Sequence, residues 1–160
     1  MDTKKYDQIL EQVNKALAKK IVLLPPEIDF MSLQKAHIKQ ESGFDANAVT
    51  PEPNVNDYSI GLMQLRIDTA RGVGNFPDTV SDEEIQTKLL DPAFNATLGS
   101  KYILYQLKRY NYDLKKAIAA YNAGTAKYKS DGVTFINQGY VDKVFKNYND
   151  FIAEKKSPMK

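Results

Sequence analysis

The chain of 160 residues contains no cysteine, no tryptophan and a single histidine, His37. Without cysteine, neither a disulfide framework nor a thiolate metal site can form, and redox chemistry says nothing about compartment. One histidine with no cysteine leaves a zinc site short of ligands, so no metal and no cofactor are expected. His37 is read as a helix-face residue rather than a ligand. No Gly-x-Ser-x-Gly surrounds any serine, which argues against acyl hydrolysis. The glycines form no phosphate loop. There are 22 basic and 20 acidic residues, a net charge of +2 that is too even for nucleic-acid binding, although mildly basic character suits an anionic polymer. The longest apolar run, Ile21-Val22-Leu23-Leu24, stops at Pro25-Pro26 and falls far short of a membrane span, so no membrane insertion is expected. The start, Met1 to Tyr6, lacks the apolar core of a signal peptide. That implies export by another route, or a leader removed.

What is present reads as helices separated by breakers, with one core and one domain over 1–160. Tyr6, Leu10, Val13, Leu17 and Ile21 recur at helical spacing, which predicts an amphipathic N-terminal extension (1–25) ended by Pro25-Pro26. Phe30, Leu33, His37 and Glu41 fall on one face of a second helix that stops at Gly43. Asp45 to Ser59 is rich in Asn, Pro and Asp and reads as a long loop, with room for a short hairpin inside 45–60. A short helix is predicted over Leu62–Arg71. Ser81-Asp82-Glu83-Glu84 has the form of a capping box. Asp91-Pro92 opens a helix with Phe94, Leu98, Tyr102 and Tyr105 on one stripe. Asp113 caps another, with Leu114, Ile118 and Tyr121 inward and Gly124 as its stop. A last helix runs from about Tyr140 to Ala153, before a flexible basic tail (154–160). Asn54, Asn56 and Asp57 lie close together but lack the acidic set that calcium needs, and are read as a solvated loop.

Glu41 is the candidate with chemistry. It shares a helix face with Leu33 and His37 and precedes a glycine. At such a position a glutamate commonly just ends a helix or pairs with a lysine. In a partly apolar cleft, however, desolvation disfavours the charged carboxylate, and the group can act as a general acid. A glycosidic bond needs such an acid, because its leaving oxygen must be protonated as the bond breaks.

Three segments in order give this glutamate a context: Glu41-Ser42-Gly43-Phe44 with Ala48 and Thr50; Gly61-Leu62-Met63-Gln64-Leu65 with Thr69-Ala70; and Ala119-Ala120-Tyr121-Asn122-Ala123-Gly124. Asp91-Pro92 and Leu98-Gly99-x-x-Tyr102 lie between the last two. Together they resemble the lytic transglycosylases, the soluble lytic transglycosylase catalytic domain of the lysozyme and goose-type lysozyme superfamily. The likeness covers roughly residues 30 to 148. The chain departs from it in a longer segment between Thr50 and Gly61, and in Ile67, where the family usually has proline.

The resemblance implies a mainly α, lysozyme-like domain with a substrate groove between two lobes and its catalytic core over 26–153. It implies a monomer that cleaves peptidoglycan glycan strands at the N-acetylmuramic acid to N-acetylglucosamine bond. Glu41 is then the sole acid and base. Met63 and Gln64 line the groove, Thr50 contacts the N-acetyl region, Tyr121 orients Glu41, and Asn122 and Tyr140 support the site. Met63 has plain core as its alternative, Tyr121 a packed tyrosine, and Asn122 a helix C-terminus. The rival activity is a goose-type hydrolytic lysozyme using Asp45 or Asp57 to activate water. A rival from another class is a non-catalytic glycan-binding or phage-tail module. The expected setting is the bacterial cell wall, reached by a phage lysis or virion-associated enzyme or through a secretion apparatus.

Overall fold

The structure is a computed structural model that describes residues 1–157, so the end of the predicted basic tail lies outside the described residues. Within them the chain forms eight α-helices: α1 (Asp7–Ala16), α2 (Ala18–Ile21), α3 (Phe30–Ser42), α4 (Ile67–Val73), α5 (Asp82–Leu89), α6 (Pro92–Arg109), α7 (Leu114–Ala123) and α8 (Gln138–Lys156). An antiparallel sheet of β1 (Val49–Glu52), β2 (Asp57–Ile60) and β3 (Leu65–Arg66) completes it, in the order β1-β2-β3. The mainly helical class read from the sequence is correct. No helix among the described residues is long and apolar enough to cross a membrane. By internal packing the chain divides into two compact units: Met1–Ala18 with Glu41–Lys101, and Lys19–Gln40 with the chain from Tyr102 onward.

In the first unit, Tyr6, Leu10, Val13 and Leu17 are buried as their spacing requires. The predicted single helix is broken at Leu17, however, with neither Gly nor Pro to mark the break. The segment read as a long loop is the anticipated hairpin: Val49 pairs with Ile60 and Glu52 with Asp57. Its connection is a one-turn 3-10 helix over Pro53–Val55, closed by Asn56 at φ +50°, a left-handed position that Asn tolerates. The helix predicted from Leu62 begins only at Ile67. Gln64 has φ +50°, and Leu65 and Arg66 pair with Ile60 and Ser59, so sheet pairing overrides the local helical periodicity.

Asp57 explains how the helix can start at Ile67 without proline. A proline there would present no N–H. The isoleucine does, and Asp57 Oδ1 accepts it at 3.3 Å while Oδ2 accepts the Asp68 N–H at 3.3 Å. Asp57 Oδ1 also takes its neighbour's Tyr58 N–H at 2.6 Å. The supposedly solvated Asp57 is therefore buried, and it caps α4 from the neighbouring strand.

The turn between β2 and β3 is held by Asn95 of α6, which is fully buried. Its Oδ1 accepts the Met63 N–H at 2.8 Å, and its Nδ2 donates to Ile60 O at 2.8 Å and Leu89 O at 2.9 Å. Gly61 must be glycine: φ is +79°, and a side chain would run into the Asn95 carboxamide and the Leu89 carbonyl. Gly99, one turn beyond Asn95, leaves the space that Met63 fills. A mid-helix glycine costs about 1 kcal/mol against alanine, and here it admits a large side chain in exchange.

The caps read from the sequence form as expected. Ser81 Oγ accepts the Glu84 N–H, Asp91 Oδ2 the Phe94 N–H, and Asp113 Oδ1 the Lys116 N–H.

In the second unit, Leu33, Ile38, Ile118, Val141 and Val144 are fully or nearly fully buried. Leu114, predicted inward, is only half-buried. Tyr105, on the α6 stripe, is 55% exposed. The last helix is longer at both ends than predicted. Lys155, assigned to a flexible tail, lies within α8 and its Nζ pairs with Asp29 Oδ2 at 2.6 Å.

Asn95→Ala would leave the Met63 N–H and two buried carbonyls without partners. At about 1–3 kcal/mol per unsatisfied group, partly relieved by relaxation, we expect unfolding free energy to fall by about 3 kcal/mol, measured by urea titration. A loss below about 1 kcal/mol would mean that the turn holds without this carboxamide.

Candidate active site

The seven residues singled out from the sequence fall into two groups, one in each unit. Glu41, Thr50, Met63 and Gln64 belong to the first. Tyr121, Asn122 and Tyr140 belong to the second.

Glu41 is half-buried in the last turn of α3. Its neighbour Ser42 donates a 2.6 Å hydrogen bond from Oγ to Leu62 O. The serine of the Glu-Ser pair thus ties the end of α3 to the Gly61–Gln64 turn. Gly43 and Phe44 follow with φ of +60° and +64°, so the chain leaves the helix at once towards the hairpin.

Gln64 is buried and does not offer its carboxamide to solvent as a groove wall would. Its Nε2 donates to Ala48 O at 2.9 Å and Gly61 O at 3.0 Å, and its Oε1 accepts the Thr50 hydroxyl at 2.7 Å. Two carbonyls on one side of the amide fix its orientation. A non-glycine residue at φ +50° is a strained position, and three side-chain hydrogen bonds hold it there. Thr50 itself is exposed. Because its O–H is donated to Gln64, its oxygen faces any ligand as an acceptor. Met63 is fully buried and packs against Gly99, so the core alternative describes it and the groove-lining role does not.

In the second unit Tyr121 is buried, 7% exposed, in a row of rings. Its centroid lies 4.3 Å from His37 and 5.0 Å from Tyr102. His37 continues the row to Tyr140 at 6.3 Å, where Nδ1 and the Tyr140 hydroxyl are within hydrogen-bond distance at 3.1 Å. His37 is thus a buried core histidine as well as a helix-face residue. Burial alone pushes its pKa from the ordinary 6.5 down to about 3, so the ring is neutral throughout the physiological range.

Asn122 is exposed, and its Oδ1 accepts a hydrogen bond from Asn137 Nδ2 at 2.9 Å. The same Nδ2 donates to Ala119 O at 3.0 Å. Asn137 was missed from sequence because nothing local marks it.

Of the alternative bases, Asp57 has both oxygens on backbone N–H groups. Asp45 is exposed, with Oδ1 accepting the Asn47 N–H at 2.9 Å. Among the described residues no group of three or more His, Cys, Asp or Glu is placed to hold a metal ion.

A half-buried glutamate whose neighbour Ser42 is tied to the Gly61–Gln64 turn, the same turn whose Gln64 holds the Thr50 hydroxyl, offers a carboxyl suited to general acid–base chemistry. The family model for the transglycosylase SLT domain matches residues 30–138, from the first residue of α3 to the first of α8. The chain belongs to this family of lysozyme-like lytic transglycosylases. It is an enzyme of the lytic transglycosylase type, acting on the peptidoglycan of the cell wall.

The buried neutral His37 sets a pH dependence. Its folded pKa lies below the unfolded one, so it opposes folding only where the unfolded chain takes up a proton that the folded chain refuses. No penalty applies above pH 6.5, and stability falls as pH drops from 6.5 towards 3. One proton corresponds to about 1.4 kcal/mol per pH unit at most. Unfolding free energies of wild type and His37→Phe between pH 7 and 4.5 should diverge in slope, the variant being shallower. Equal slopes would show that His37 titrates as an ordinary surface histidine.

Proposed function

We propose that the enzyme breaks the β-1,4 bond between N-acetylmuramic acid and N-acetylglucosamine with Glu41 as its only acid and base, leaving a 1,6-anhydro muramic acid end. Glu41 protonates the leaving glycosidic oxygen. The substrate's own acetamide carbonyl supports the cationic centre, an exception to the two-carboxylate scheme. Glu41, now a carboxylate, takes the proton from the C6 hydroxyl of the same sugar. That oxygen closes the anhydro ring, and no water is consumed.

The observation that supports this most is the Ser42–Leu62 hydrogen bond, which joins the Glu41 segment to the turn that fixes Thr50 through Gln64. With its own proton engaged, Thr50 accepts a hydrogen bond from the acetamide N–H or a sugar hydroxyl. Tyr121 and Asn122 are read as substrate-binding residues, and Tyr140 acts through His37. The engagement of Asp57 as a helix cap weakens the hydrolytic alternative and leaves it Asp45 alone. The enzyme works as a monomer on glycan strands.

Glu41→Gln keeps volume and polarity and removes the titrating proton. Clearing of cell-wall suspensions should fall by about 10²–10⁴, the usual worth of general acid–base catalysis, with the melting temperature unchanged. Mass spectrometry of wild-type digests should find muramic acid ends lighter by one water and free of label from heavy-oxygen water. Undiminished clearing by Glu41→Gln would remove the acid assignment. Labelled reducing ends would turn the enzyme into a hydrolase.

A further inference from the structure

Tyr105 is the most exposed aromatic side chain among the described residues, at 55%. It stands at one end of the row of rings that contains Tyr121. Tyr102 bridges them, 5.0 Å from Tyr121 and 6.3 Å from Tyr105 between centroids, with the Tyr102 and Tyr105 planes only 10° apart. Exposure grows along the row: Tyr121 is buried, Tyr102 half-buried and Tyr105 open.

The same side of α6 is fastened to the end of the Ala120–Gly124 segment. Arg109, four residues after Tyr105, donates to Gly124 O at 2.7 Å and Thr125 Oγ1 at 3.1 Å. The other exposed tyrosines lack this continuity. Tyr128 sits on Phe135, and Tyr58 lies on the hairpin.

An exposed ring held nearly parallel to a second ring is a flat apolar surface of low conformational entropy. The C–H face of a pyranose is its natural complement, because stacking removes apolar area from water while the sugar's equatorial hydroxyls stay solvated. The chain has ten tyrosines and no tryptophan, so such a platform has to be built from tyrosine or phenylalanine.

We propose that Tyr105, backed by Tyr102, is a stacking platform for a sugar of the glycan strand lying outside the bond that is cleaved. This inference rests on the reading of Tyr121 as part of the active site. It makes the enzyme favour long strands over short fragments.

The test reads binding without turnover, in the Glu41→Gln background, so that it does not depend on the catalytic role of Glu41. Purified uncross-linked glycan strands and a peptidoglycan tetrasaccharide serve as ligands. Tyr105→Ala should weaken strand binding roughly 3–10-fold, the range expected for loss of one aromatic stacking contact, and should change tetrasaccharide binding far less. Tyr105→Phe, which keeps the ring, should bind strands like the parent. Tyr105→Leu, which keeps apolar area without a flat face, should behave like the alanine variant. Melting temperatures should not move, since the side chain is exposed. Unchanged strand binding in Tyr105→Ala would overturn the proposal. So would an equal loss on both ligands, or a loss in Tyr105→Phe that matches the alanine variant.

Discussion

The site in the first unit depends on two buried carboxamides that grip one turn from opposite sides. Asn95 holds the Met63 N–H and the Ile60 carbonyl, and Gln64 holds Ala48, Gly61 and Thr50. An amide can donate and accept at once without carrying charge, so it can be buried if every atom is paired. Neither a carboxylate nor a hydroxyl would satisfy the same set of partners. Most of what is polar nearby follows from that grip. Leu62 is placed so that its carbonyl accepts from Ser42, Thr50 has its proton turned towards Gln64, and Gly61 must lack a side chain to let Asn95 approach. The short motif Gly61-Leu62-Met63-Gln64 therefore reads as structure before it reads as chemistry. Its glycine and glutamine set geometry, its leucine and methionine are core, and the exposed side chain it fixes is that of Thr50.

What the sequence reveals here is what local physics decides. The caps at Ser81, Asp91 and Asp113 act on N–H groups three residues away, and their residue types announce them. The stop at Gly43 needs only a positive φ. The misreadings all turn on contacts between distant positions. Leu62 to Arg71 has helical periodicity, but its first half is claimed by β2. Asp57 sits among Asn and Pro and looks solvated, while its partners are N–H groups ten and eleven residues on. On α6 the stripe of large residues ends in the exposed Tyr105. The buried positions of that helix include Asn95, Gly99, Ser100 and Gln106, small or polar residues that a hydrophobic count passes over.

The same distinction applies to the candidate site. Glu41 stands out as a candidate because three motif segments follow one another in order; alone, a glutamate at the end of a helix is commonplace. Gln64 was legible as a residue and illegible as a role, since sequence gives no means of telling a carboxamide open to a ligand from one whose partners all lie within the chain. Tyr140 shows the same limit. It was picked from a loose likeness, and the structure gives its hydroxyl a partner, His37, 103 residues away.

His37 also shows why a single buried histidine can persist without being a ligand or a base. Its ring closes the gap between Tyr121 and Tyr140 while adding one hydrogen-bonding atom, which neither phenylalanine nor leucine supplies. Burial keeps it neutral, so at physiological pH it adds no charge to the row of rings. A permanently charged side chain in that place would need a counterion, and a carboxylate brought in to supply one would bring with it a second titrating group. A neutral histidine avoids both. The row of rings thus gains a hydrogen-bonding atom without gaining a charge.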